Sequence, residues 1–228
     1  TVIGTHLFNI LKKQAHLLFS QDVANALLES LASRQPLLAG SINPKQLPLH
    51  VTTSLCQALL EEGVSLRYFE RVAAALSQVA GTTQEPRQLT ELVRARIGGL
   101  IVAGLGNNAV PLRLIALEPQ LEGLLVSAQR AAPASDYPFE PGLAQRLAEA
   151  VTGAAAGAIA EGAPVALISQ PEPRRSLFRL LRPGGVPVLA FAELPEARAV
   201  EVVAVIGEGI LNKTIEPAGG PAWTPESH

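Results

Sequence analysis

The sequence predicts an α+β / α/β chain: a small helical subdomain followed by an α/β subdomain with a short mixed sheet. Three observations predict it. Residues 164–206 read as a strand, a short helix and two further strands: Pro164 to Ser169, Arg174 to Leu181, Val186 to Phe191 and Val200 to Ile206. Leu112 to Leu117 alternates loosely and adds a strand before them. Everything up to about residue 102 instead repeats its apolar residues at helical spacing.

Residues 5–19 carry Leu7, Ile10, Leu11, Leu17 and Leu18 against Lys12, Lys13 and Gln14, an amphipathic helix. Ser20 caps a second helix with Asp22 in its first turn and a stripe of Val23, Ala26, Leu27 and Leu31. Pro36 ends it, and residues 36–50, with Pro36, Gly40, Pro44 and Pro48, read as a connection. A third helix spans about Val51 to Glu62 and buries Leu55, Leu59 and Leu60. Gly63 closes it and Ser65 caps the next, whose inner face is Phe69, Val72, Ala73 and Leu76. Pro86 starts a fifth helix with Leu89, Val93, Ile97 and Leu100 in line. After the strand at 112, Pro119 opens a helix with Leu121, Leu124, Leu125 and Ala128, and Pro141 opens one with Leu143, Leu147 and Val151. Residues 112–206 therefore read β-α-α-β-α-β-β. The Gly- and Pro-rich stretch 207–228, with an isolated Trp223, reads as a flexible tail. The expected divisions are 1–19, the last helix of a truncated preceding subdomain; 20–104, helical; 111–206, α/β; and 207–228, tail.

Composition excludes several classes. Hydrophobic residues make up 48% and charged residues 17% of the 228, which argues against bulk disorder. With aromatics at 4%, the core must be aliphatic. A net charge of −2 and a pI near 6.1 argue against a nucleic-acid partner. Cys56 is the single cysteine, set in a helical context, so it reads as a packed thiol. His6, His16, His50 and His228 share no metal-ligand spacing, and no metal site is expected. No run of 18 apolar residues is present. A chain that starts at Thr1 and lacks methionine is expected to be a piece of a longer protein.

Candidate chemistry is sparse. Gly104 to Ala109 matches the dinucleotide pattern G-x-G-x-x-A, but the fingerprint needs a strand before and a helix after. The order here is helix then strand, so a Gly-rich turn is the better reading. A nucleotide- or small-molecule-binding α/β enzyme domain using that turn is the alternative function. No G-x-S-x-G, H-E-x-x-H or P-loop occurs, and Glu61 and Glu62 read as solvated charge at a helix end. No catalysis and no cofactor are expected. Arg174, Arg175, Arg179 and Arg182 form a basic cluster on one short helix, read as a solvated or subunit-interface face rather than a phosphate site.

Four segments then carry a family resemblance. Thr1-Val2-Ile3-Gly4-Thr5-His6-Leu7 resembles a segment of the T-V-I-A-T-H-L type. Leu55 to Leu76 resembles a helix-turn-helix of the LxxLLxExVxIRDxxxILxxL type, with Tyr68 in place of its acidic residue. Leu114 to Glu122 resembles an I-x-L-D-P-x-L-E stretch, and 165–195 a closing α/β subdomain. In this order they resemble the C-terminal cytoplasmic region of the export-gate proteins of flagellar and virulence type III secretion systems (the FlhA/InvA/LcrD family). The resemblance implies a homo-oligomeric ring of nine subunits on the cytoplasmic face of the bacterial inner membrane. It would dock export chaperones and chaperone–substrate complexes, contact other export-apparatus proteins and help order protein export. Membrane contact would come only through an N-terminal half absent here. It further implies chaperone or substrate binding at Thr5, with His6 beside it, and a helix carrying Arg174, Arg175 and Arg179 that faces a neighbouring subunit or solvent.

Overall fold

The computed structural model describes residues 14–42 and 47–211. Thr5 and His6, the linker residues 43–46 and most of the expected tail lie outside the described residues. The chain divides into two compact units. One comprises residues 1–111 and 189–199, the other 112–188 and 200–228.

The first unit is helical. Residues 14–18 are helical, and α1 (Gln21–Arg34) follows, with the Ser20 hydroxyl accepting from Val23 N–H at 3.3 Å. Its buried residues are Ala24 and Leu31, so the inner face is turned slightly from the expected one and leaves Val23 exposed. Pro36 does more than end α1. It occupies the first turn of α2 (Pro36–Ser41), where its missing N–H costs nothing, so the expected connection is partly a helix. Then come α3 (Leu49–Glu61), a 3-10 turn (Leu66–Tyr68) capped by Ser65, and α4 (Phe69–Val79). The fifth helix expected from the sequence breaks at Ile97 into α5 (Pro86–Arg96) and α6 (Gly98–Gly104). Leu55, Leu59, Val72, Leu76, Leu89 and Val93 are fully buried at the centre.

Cys56 is packed in that core, and burial pushes its thiol up to about 12. The native thiol is expected to resist iodoacetamide at pH 8 and to react once urea unfolds the chain; labelling of the folded chain at the rate of a free thiol would contradict this burial. Because the raised value favours the neutral form, stability from this site is full below the unfolded thiol pKa of ~8.5 and is lost as pH rises towards 12.

The second unit is built on β1 (Leu112–Leu117), α7 (Pro119–Ala131), α8 (Pro141–Ala160), β2 (Val165–Ser169), α9 (Pro171–Leu181), β3 (Val188–Ala190), β4 (Val200–Ile206) and the single turn α10 (Glu208–Leu211). The sheet order is β3-β2-β1-β4. The register pairs Leu114 with Ala166 across β1 and β2, and Leu114 with Val202 across β1 and β4, both parallel. These central pairings are parallel rather than the mixed arrangement expected: α7 and α8 carry the chain from β1 to the start of β2, and β4 is reached through residues 191–199. Ile115, Leu121, Leu125, Leu147, Val151, Leu167 and Leu177 form the core. Pro starts α7, α8 and α9, where its φ is pre-set for a helix. Glu140 caps α8, accepting from Gly142 and Leu143 N–H at 2.8 and 2.7 Å, and those bonds hold its carboxyl below the usual range. Residues 207–211, read from sequence as the start of a tail, instead include Ile210, buried in this core.

Candidate functional site

From Leu189, inside β3, until β4 the chain leaves the α/β unit. Residues 189–199 belong to the helical unit, including a 3-10 turn at Phe191–Glu193. Glu193 is what fixes them there. The Arg94 guanidinium, on α5, donates from Nε and Nη2 to the two Glu193 carboxylate oxygens, each at 2.8 Å. Its Nη1 lies 2.9 Å from Glu62 Oε2 at the end of α3. The three side chains are 2%, 4% and 1% exposed, so the cluster is closed to ligands and acts as a structural anchor. Glu62, read from sequence as solvated charge, is thus a buried ion-pair partner. One turn further along, Gly98 faces the Glu193 backbone: a β-carbon there would lie 2.6 Å from the Glu193 carbonyl carbon. Arg94 and Gly98, at spacing i, i+4, therefore hold the side chain and the backbone of the same residue.

The basic cluster is not uniformly solvated: Arg182 is exposed, but the others are not. Arg174 is fully buried and already engaged in polar contact. Arg175 Nε lies 3.9 Å from Asp136 Oδ1, and Arg179 is half-buried with partners of its own. Neighbouring Ser176 donates to Gln129 Oε1 at 2.6 Å, both buried. At the start of the helix Glu172 pairs with Arg130 at 2.5 Å, and that bond lowers its pKa. The sequence shows the charges on one helix but not the acidic and polar groups that the fold brings to them.

Gly104 closes α6, residues 105–110 form an exposed turn, and β1 follows. The order is helix–turn–strand, so no helix begins at this turn, as the dinucleotide fingerprint requires. Among the described residues, no group of three His, Cys, Asp or Glu side chains is placed to hold a metal ion, and no helix is long and apolar enough to cross a membrane.

One surface escaped the sequence reading. Strand β4 lies at the edge of the sheet, and Val200, Val202, Val203 and Val205 are 43%, 57%, 41% and 61% exposed. Exposed apolar edge strands favour pairing or contact with other chains. The run Val200-Glu201-Val202-Val203-Ala204-Val205 marks a valine-rich strand, and only the sheet order reveals it as an edge.

Residues 1–199 match the model of the FHIPEP family. The chain is 30% identical over 209 residues to the flagellar biosynthesis protein FlhA of Escherichia coli K12, covering 91% of this chain and 30% of that protein. It is 29% identical over 211 residues to FlhA of Helicobacter pylori, covering 90% and 28%. The chain thus spans about 30% of the length of the relatives it matches. Its fold matches the nonameric SctV-C of EPEC, solved by cryo-EM, with a TM-score of 0.74 at 18% identity over 90% of this chain and 62% of that one. It matches the CdsV protein of Chlamydia pneumoniae with a TM-score of 0.74 at 20% identity, over 90% and 60%.

Proposed function

Because this chain belongs to the FHIPEP family, we propose that it is the cytoplasmic part of a type III secretion or flagellar export gate. In this reading it is a ring-forming platform that docks chaperone–substrate complexes and helps order protein export. The observation that carries the reading is the joint match: family sequence over residues 1–199, and the fold of SctV-C and CdsV over nine-tenths of the chain. One of those neighbours is nonameric, and a further CdsV structure holds CdsO in complex. A ring subunit needs surfaces for its neighbours, and we assign that role to the apolar edge β4 and to the partly exposed Arg175 and Arg179. The membrane-embedded remainder of the relatives would place this part at the cytoplasmic face of the inner membrane. No catalytic role is assigned to it. Thr5 and His6 remain the proposed chaperone or substrate contact.

Two measurements test this reading. Mass photometry of the chain at rising concentration should show oligomers, and Val202→Lys with Val205→Lys should shift them to monomer. Both positions are exposed, so the fold should change by only about ±0.5 kcal/mol. Pull-down with chaperone–substrate complexes from the same genome should retain them, and a Thr5→Ala, His6→Ala chain should retain fewer. An unchanged mass distribution would remove β4 as an assembly surface. Failure of both this chain and a longer cytoplasmic fragment to retain any complex would remove the docking role.

A further inference from the structure

The helical unit carries a groove of about 400 Å³ walled by α4 on one side and by the α5–α6 junction on the other. On α4 it is lined by Arg71, Ala74, Ala75 and Gln78, whose i, i+3, i+4, i+7 spacing makes one continuous ridge. The neighbouring ridge of that helix, with Val72, Leu76 and Val79, is buried in the core. The facing wall carries Arg96, Ile97, Gly99 and Leu100.

The polarity of this groove is one-sided. Arg71 and Arg96 are both exposed, and no described carboxylate pairs with either. Arg96 Nε donates to Gln78 Oε1 at 3.3 Å and its Nη1 to the Leu92 carbonyl at 3.2 Å. Gln78 thereby accepts from Arg96 and keeps its amide NH₂ as a further donor group. Each polar head at the rim thus offers donors, two are cations, and none of the lining residues is acidic. By contrast, Arg94 pairs with Glu62 and Glu193, Arg113 with Glu161, and Arg130 with Glu172. The floor of Ala74, Ala75 and Gly99 leaves room for incoming side chains where larger residues would close the groove.

From this charge complementarity we infer that the groove is a docking site for an acidic peptide segment of a partner protein. Paired glutamate or aspartate side chains would meet Arg71 and Arg96, and small apolar side chains would rest on the Ala–Gly floor. Nucleic acid fits less well, since the two cations do not extend into a basic stripe and the chain carries a net charge of −2. The inference stands on the groove alone and goes beyond the export-gate reading.

The test uses the whole chain and a fluorescein-labelled peptide of alternating Glu, Ala and Leu, with a counterpart in which every Glu is Gln. Anisotropy should rise with the Glu peptide, not with the Gln peptide, and the affinity should fall with added NaCl. Arg71→Glu with Arg96→Glu should weaken binding by at least about tenfold, while Arg130→Glu on the other unit should not. Amide shifts in the unsubstituted chain should concentrate at Ala74, Ala75, Gly99 and Leu100, which keeps the proposal testable if the double variant folds poorly. Absence of saturable binding, equal binding of both peptides or shifts centred elsewhere would overturn it. A change in oligomeric mass caused by the double variant without peptide would also overturn it, by making the groove a contact between copies of this chain.

Discussion

Replacing Arg94 with methionine is expected to destabilise the chain by about 3–5 kcal/mol, the range seen when one partner of a buried ion pair is removed. The reason is what remains. Glu62 and Glu193 would keep two carboxylates in a site where both side chains are almost inaccessible, without the guanidinium that lies between them. Methionine fills much of the arginine's volume, so the loss measures charge and hydrogen bonding more than a cavity. At roughly 2–4 °C per kcal/mol for a chain of this size, the unfolding midpoint should fall by about 6–20 °C. Arg94→Lys should be only partly protective, because an ammonium cannot reproduce the two parallel bonds to Glu193. Arg130→Met is the control. That guanidinium is 68% exposed, and its pair with Glu172 is worth at most about 1 kcal/mol. A thermal melt of Arg94→Met matching that control would show that the cluster contributes nothing.

The same cluster marks where the sequence stops being legible. Helices announce themselves locally: Leu89 and Val93 recur at four residues, Pro86, Pro119 and Pro141 stand at first turns, and Ser20 and Ser65 cap where expected. These signals depend on neighbours in the chain, so periodicity and capping chemistry reveal them. The strands at 112, 165 and 200 were equally plain. The break at Ile97 was less so: Gly98 and Gly99 follow it, but the Glu193 backbone that packs against Gly98 sits far along the chain. Nor was the departure of 189–199 from the α/β unit, since an apolar run ending in Glu193-Leu194-Pro195 looks like any strand and turn. Arg94 and Glu193 are 99 residues apart, and nothing local distinguishes either from a surface charge.

The candidate sites follow the same rule. The four arginines of 174–182 could be read as one basic helix, yet whether a cation is solvated, paired or buried depends on what packs against it. Asp136 approaches Arg175 from the loop before α8, and Arg174 is withdrawn from solvent altogether. Conversely, Arg71 and Arg96 raised no signal, because a ridge of Arg-Ala-Ala-Gln on a helix is ordinary until a second wall stands opposite it. Thr5 and His6 entered through family resemblance alone.

Gly98→Ala is expected to cost about as much as the loss of Arg94, and through the same residue. The added β-carbon would lie 2.6 and 2.7 Å from the Glu193 carbonyl carbon and Cα, well inside van der Waals contact, and the obstacle is backbone rather than a flexible side-chain end. Either α6 or the 3-10 turn at Phe191–Glu193 must move, at a cost of about 1–3 kcal/mol for overpacking alone. The larger part comes from what that movement breaks. Displacing Glu193 pulls its carboxylate off Arg94, whose two 2.8 Å bonds tolerate little change in angle. The two substitutions therefore should not add. Once Gly98→Ala has opened the fork, removing Arg94 forfeits less, so the double variant should fall short of the summed single losses by about 1–3 kcal/mol. Gly99→Ala supplies the comparison one residue on: its nearest neighbour is a proline side-chain carbon at 3.9 Å, and a better helix former there should leave stability unchanged or slightly raised. Urea unfolding of the four chains decides between the two accounts. Strict additivity of Gly98→Ala and Arg94→Met would mean that backbone contact and ion pair hold residues 189–199 independently. A shortfall would mean that one contact exists to seat the other, making this intruding segment a single cooperative part of the helical unit.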